Sequence, residues 1–201
     1  MASTKRALAC STALASLLLI AISPASAPGK TKTKTFSSGN LGLQIPDPTG
    51  HELFPIASDM RIRTKGRIKD VNVSVRITIP DDRDLDLSLV GPTFKFSILK
   101  EHGFLNSPEG PDFGAGPAGC AGTATVFDSE APASILQGLP PYAGSFTPLT
   151  SLRGFRGGRL QGRWSLELMD HFQGSIDDLT TGPGVLDCWK MTVRYKPKKR
   201  K

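Results

Sequence analysis

Apolar and polar side chains alternate along this chain in short bursts. The longest burst sets Val71, Val73, Val75, Ile77 and Ile79 against Asn72, Ser74, Arg76 and Thr78. Successive side chains of a strand point to opposite faces, so this spacing predicts a strand with one buried face. After a break at Pro80-Asp81-Asp82-Arg83, Leu85, Leu87 and Leu89 repeat the pattern. A turn at Gly91-Pro92 follows, and Phe94, Phe96 and Ile98 continue it. Thr125-Val126-Phe127 reads as a short strand, and Trp164, Leu166 and Leu168 share one face of another. Trp189, Met191, Val193 and Tyr195 close the series. No window of helical length carries a 3.6-residue apolar period, so short strands punctuated by Gly and Pro predict an all-β sandwich or barrel.

The segments between these bursts read as loops. Residues 101–123 hold Pro108, Gly110, Pro111, Gly114, Gly116, Pro117 and Gly119, a composition that predicts a long surface excursion. Residues 132–148 form a second loop with at most one helical turn near Ser134 to Gln137, and residues 170–184 form a third. Residues 28–55 read as a basic, flexible leader and lead-in, residues 56–195 as the domain, and residues 196–201 as a basic tail. Arg61, Arg63, Lys65, Arg67 and Lys69 recur at every second position, which reads as a solvated edge with Ile62 and Ile68 turned to the core.

The first 27 residues look removable. Lys5 and Arg6 precede a mostly apolar run, and Ala25-Ser26-Ala27 is a small-residue cleavage site ending at Ala27. That run is short and no second apolar span follows, so it reads as a secretory signal and not as a transmembrane segment. Export changes the meaning of Cys120 and Cys188, which outlast processing. An oxidising compartment favours a bridge between them over two free buried thiols. Charge is likewise local. The formal net charge is +7, but the ten basic residues of the signal, leader and tail account for it; without them 15 basic residues face 18 acidic ones. The domain is mildly acidic with basic ends.

Several segments have a fixed spelling. Asp84-Leu85-Asp86-Leu87-Ser88-Leu89, Phe127-Asp128-Ser129-Glu130-Ala131 and Gly184-Val185-Leu186-Asp187-Cys188-Trp189 occur in that order. Between the last two lies Gly144 to Asp170, with Gly144, Phe146, Pro148, Leu152, Phe155 and Gly157 ahead of Trp164. Together they resemble the P domain (P/Homo B) of kexin- and furin-type proprotein convertases and of bacterial secreted subtilisin-like proteases. The resemblance implies a jelly-roll β-sandwich of about eight antiparallel strands in one domain. It also implies a non-catalytic role, since that domain stabilises or regulates an adjoining protease or helps it engage targets. The chain departs from the pattern at Pro80, where the family often has His, and at the shortened turn Gly91-Pro92-Thr93.

Candidate chemistry is sparse. His51, His102 and His171 lie in loop-like settings, and no Gly-x-Ser-x-Gly elbow occurs, so a self-contained serine protease is not expected. Asp84, Asp128, Glu130 and Asp170 are hard oxygen ligands at strand ends or in loops and form the candidate Ca²⁺ set; bacterial members of the resembled family include calcium binders. Trp164 and Trp189, with Phe155 and Phe146, are expected in the core because each tryptophan is in phase with aliphatic neighbours. The basic tail offers electrostatic adhesion to an anionic cell-surface polymer, or is simply solvated; no specific nucleic-acid site is expected. The sequence therefore reads as a secreted, non-catalytic accessory or binding module whose partner is a secreted protease or such a polymer. The alternatives are part of a serine-type endopeptidase system or a carbohydrate- and wall-binding module.

Overall fold

A computed structural model describes residues 30–46, 54–79, 85–99, 112–171 and 183–198. Within them the chain is an all-β sandwich of two sheets. The strands are β1 (Lys32–Ser37), β2 (Leu43–Ile45), β3 (Ile56–Ile62), β4 (Gly66–Thr78) and β5 (Leu85–Val90), followed by β6 (Lys95–Leu99), β7 (Thr125–Phe127), β8 (Gly144–Phe146), β9 (Gly162–Asp170) and β10 (Gly184–Pro197). One sheet runs β1-β10-β4-β7-β8, with β2 also paired to β10; the other runs β3-β9-β5-β6. All pairings are antiparallel except β7 with β8.

The alternating bursts become the inner faces. Val71, Val73, Val75 and Ile77 of β4, and Leu85, Leu87 and Leu89 of β5, are all buried. Trp164 on β9 and Trp189 on β10 are fully buried, one from each sheet. Aromatic rings extend this core: Phe155 packs on Trp164 at 5.1 Å between centroids and on Phe96 at 4.6 Å. Phe146 is half-buried and packs against the core edge. Gly91 and Gly154 let the aromatics close up, because a Cβ at Gly91 would meet Phe155 at 2.8 Å and one at Gly154 would meet Phe96 at 2.0 Å.

Among the described residues there are ten strands where about eight were expected, and three of them carry no hydrophobic alternation to announce them. The leader is not a flexible segment throughout: Lys32–Ser37 is β1, paired with β10 over its whole length from Lys32↔Tyr195 to Ser37↔Lys190. β1 lies at a sheet edge with almost every side chain exposed, so backbone pairing holds it and no apolar period is needed. β2 adds three more residues to β10, and β8 is held parallel to β7 inside the expected second loop. The run Arg61 to Lys69 is not one edge either. It crosses from β3 through the turn at 63–65 into β4, while Ile62 and Ile68 point to the core. Phe94 lies outside β6 and is exposed at 46%.

Candidate functional site

One end of the sandwich is built from cations, and strand register brings them together. Lys196, at the end of β10, pairs with Arg67 at the start of β4. Arg67 in turn bridges Arg159, in the segment that leads into β9, and its Nη1 donates to the Gly157 carbonyl oxygen at 2.9 Å. Arg159 then lines a cleft of about 600 Å³ with Arg61, Ile62, Arg63, Gln161 and Gly162. Lys32 joins the same end, since β1 sets it opposite Tyr195, next to Lys196. The tail and the alternating arginines, far apart in sequence, are thus one basic band. Lys199, Arg200 and Lys201 lie outside the described residues.

Pairing elsewhere makes this band distinctive. Arg163, in register with Arg61, holds Asp59 by a bidentate contact at 2.9 and 2.6 Å. Arg156 contacts Glu130 and lies 3.7 Å from Asp70, and Arg194 lies 3.9 Å from Glu130. Among the described residues, no carboxylate is ion-paired with Arg61, Arg63 or Arg159. All three are exposed. Guanidinium groups grip carboxylates and phosphates through two parallel hydrogen bonds, and this cleft presents three of them to solvent.

Of the candidate calcium ligands, Asp128, Glu130 and Asp170 are described and do not gather with one another. Asp84 lies outside the described residues. Asp128 accepts from the Glu130 backbone N–H at 2.8 Å, closing a turn after β7. Glu130 faces two arginines, and a cation beside a carboxylate opposes binding of a second cation. Asp170 ends β9, buried and opposite Leu85 of β5, in the sheet that does not hold β7. Among the described residues no three His, Cys, Asp or Glu side chains gather into a metal-holding group. The donor set therefore does not fit calcium at Glu130. The same neighbourhood raises the Asp70 carboxyl above its usual range, first because it is partly buried and then because Glu130 is near. Asp59 moves the other way, held low by the Arg163 and Ser165 hydrogen bonds.

Cys120 and Cys188 are joined in a disulfide, with Cα atoms 5.2 Å apart. It ties the described part of the Gly/Pro excursion to β10. Lys190 Nζ donates to the Cys120 carbonyl oxygen at 3.2 Å, and the Cys120 N–H donates to Asn40 Oδ1 at 2.8 Å. His171 Nε2 lies 3.1 Å from Asp86 Oδ2; His51 and His102, like the cleavage site at Ala27, fall outside the described residues. Sequence reading missed the band because its members sit on five segments, and only register unites them. The clue available was the run of basic residues at 61–69 together with a basic tail.

No protein-family profile matches the chain, and no curated protein does. Two solved structures resemble it: a serine protease of Aeromonas sobria in complex with the chaperone ORF2, and a serine protease of Aeromonas sobria. The first is 20% identical with a TM-score of 0.47, covering 85% of this chain and 28% of the other. The second is 19% identical with a TM-score of 0.45, covering 87% and 28%. This chain thus spans little more than a quarter of either of those chains. Among the described residues no helix is long and apolar enough to cross a membrane.

Proposed function

We propose that this protein is a secreted, non-catalytic module of the P/Homo B kind that associates with a protease or another secreted protein through its basic end. The observation that carries the reading is the cleft of Arg61, Arg63 and Arg159, whose guanidiniums, among the described residues, lack the carboxylates that Arg163, Arg156 and Arg194 hold. Support for the module type comes from the ordered segment spellings and from the two-sheet fold they fall on. Export is supported by the apolar start of the chain and by the disulfide. At this cleft binding is favoured over catalysis because it is lined by arginines and a glutamine with no nucleophile or base beside them.

A second reading has its own observation. Lys196 continues the band towards the tail, so an anionic wall polymer could lie along it. Labelling of the purified protein with a fluorophosphonate serine-hydrolase probe tests the non-catalytic half of the proposal. No adduct is expected. Stoichiometric labelling that one serine substitution abolishes would reverse the reading.

A further inference from the structure

Arg76 belongs to the alternating strand β4, but it does not reach water. It is 4% exposed, roofed by the segment from Asp112 to Ala124. Its Nη2 donates to the carbonyl oxygens of Gly116 at 2.9 Å and Pro117 at 3.3 Å. The roof is shaped to the guanidinium: a Cβ at Gly114 would sit 2.9 Å from Arg76 Cδ, and one at Gly122 would sit 3.0 Å from Nε. The Cys120–Cys188 disulfide clamps this roof to β10.

Two parts of the guanidinium stay unmatched. Arg76 Nε and Nη1 are buried and have no protein acceptor. Carbonyl dipoles on Nη2 do not neutralise the charge, and a buried cation is stable only when something does. Two nearby acids bond other groups and not the guanidinium: Asp187 accepts from Thr78 Oγ1 at 2.9 Å, and Asp112 accepts from the Ile79 N–H at 3.0 Å. Beside Arg76 is a cavity of about 10 Å³ lined by Ser74, Cys120, Gly122, Cys188 and Lys190. It offers a second cation in Lys190 and a hydroxyl in Ser74. Its size is at the lower limit for a single water-sized occupant, so a halide, somewhat larger than water, enters only if the roof gives slightly, and a phosphate or sulfate is larger still.

We infer that this cavity is a structural site for one small monovalent anion, chloride in ordinary media, held by Arg76 with help from Lys190 and Ser74. The anion accepts from the unmatched Nε and Nη1 and locks the disulfide-clamped roof onto β4. This site is independent of the exposed arginine cleft.

The test uses the full chain. Its melting temperature is measured in sodium chloride and in sodium gluconate at equal ionic strength, and crystals are soaked in bromide. Replacing gluconate by chloride should raise the melting temperature by about 2–5 °C, by the linkage of ligand to the folded state. Lys190→Met, at a half-buried position, should shrink that rise, and Arg76→Met should abolish it. An anomalous bromide peak beside Arg76 Nε is expected. A melting temperature indifferent to chloride, with only water density in the cavity, would overturn the inference. So would an undiminished chloride effect in folded Arg76→Met. Should Arg76→Met not fold, the bromide map and Lys190→Met decide.

Discussion

Trp189 Nε1 donates to Ser58 Oγ at 2.9 Å inside the protein, joining β10 of one sheet to β3 of the other. Both residues are buried. Most of the sandwich is held by apolar contact, which fills space without fixing how one sheet lies on the other. This bond fixes one point of that alignment. Trp164 meets the same requirement within its own sheet, donating to the Leu160 carbonyl oxygen at 2.8 Å. Ser58→Ala leaves the Trp189 N–H buried without an acceptor and should cost about 1–3 kcal/mol in a denaturant titration. A Trp189→Phe background should erase most of that cost, because the orphaned donor is then gone.

The Cys120–Cys188 bridge closes a loop of 68 residues in sequence separation. In the chain-entropy account, removing such a link costs about 4 kcal/mol. Cys120→Ser/Cys188→Ser should therefore lower the denaturation midpoint. Its local signature is sharper: amide exchange should accelerate at Phe113 and Ala115, whose hydrogen bonds to Ile77 and Thr123 anchor the roof. Amides of Val73 and Val75 in β4 should change only in step with global stability. Reduction that leaves the midpoint unmoved would show the clamp to be inert.

Two aspartates should give opposite pH trends. The Asp59 carboxyl lies below its ordinary value of 3.8, so its contribution is present above that pH and disappears as pH falls through the lower folded-state value. The Asp70 carboxyl lies above 3.8, chiefly through burial, so the folded state favours its protonated form and its ionisation weakens the fold as pH rises. At neutral pH, Asp59→Asn should lower the melting temperature by about 1–2 °C, the scale of an exposed ion pair. Asp70→Asn should leave it equal or higher. Only once pH has fallen through the lowered folded-state value of Asp59 should both variants converge on the parent, since both parent carboxylates are then protonated. Melting curves across that range check the crossing.

Calcium was a sequence-level expectation that the described geometry does not favour. Glu130 sits between Arg156 and Arg194, and Asp170 lies at the end of a strand in the other sheet. Millimolar calcium and chelator should therefore leave the melting temperature within about 1 °C, far below the shift that a ligand at a hundred times its dissociation constant gives. A rise of several degrees would mean that Asp84 and its neighbours complete a cage with these residues.

The fold was legible wherever burial imposes a period of two. β4 and β5, and the tryptophan faces of β9 and β10, all follow from alternation because one face of each must leave water. β1 was not legible, since an edge strand of Lys and Thr buries nothing and is held by the backbone of β10. β8 was hidden inside a Gly/Pro loop for the same reason. The basic band needed knowledge of register: Arg67 stands 92 residues before Arg159 and 129 before Lys196, and β4 pairs with both. Arg76 was misleading in the opposite sense. Its place among the polar positions of β4 implied solvent, while the glycines that roof it looked like mere loop residues.

The central claim is that the cleft of Arg61, Arg63 and Arg159 receives an anionic partner, and one titration addresses it directly. A fluorescent hexaglutamate peptide is titrated with the full chain at low and at physiological salt, beside inorganic polyphosphate as the polymer probe. The account predicts saturable peptide binding that weakens with salt and drops about tenfold or more in Arg61→Ser/Arg63→Ser/Arg159→Ser, with the fold intact. Tighter capture of polyphosphate, lost when Lys196 and the tail are neutralised, would favour the wall-polymer reading instead. Binding of neither probe, or binding that the triple variant retains, would contradict the claim.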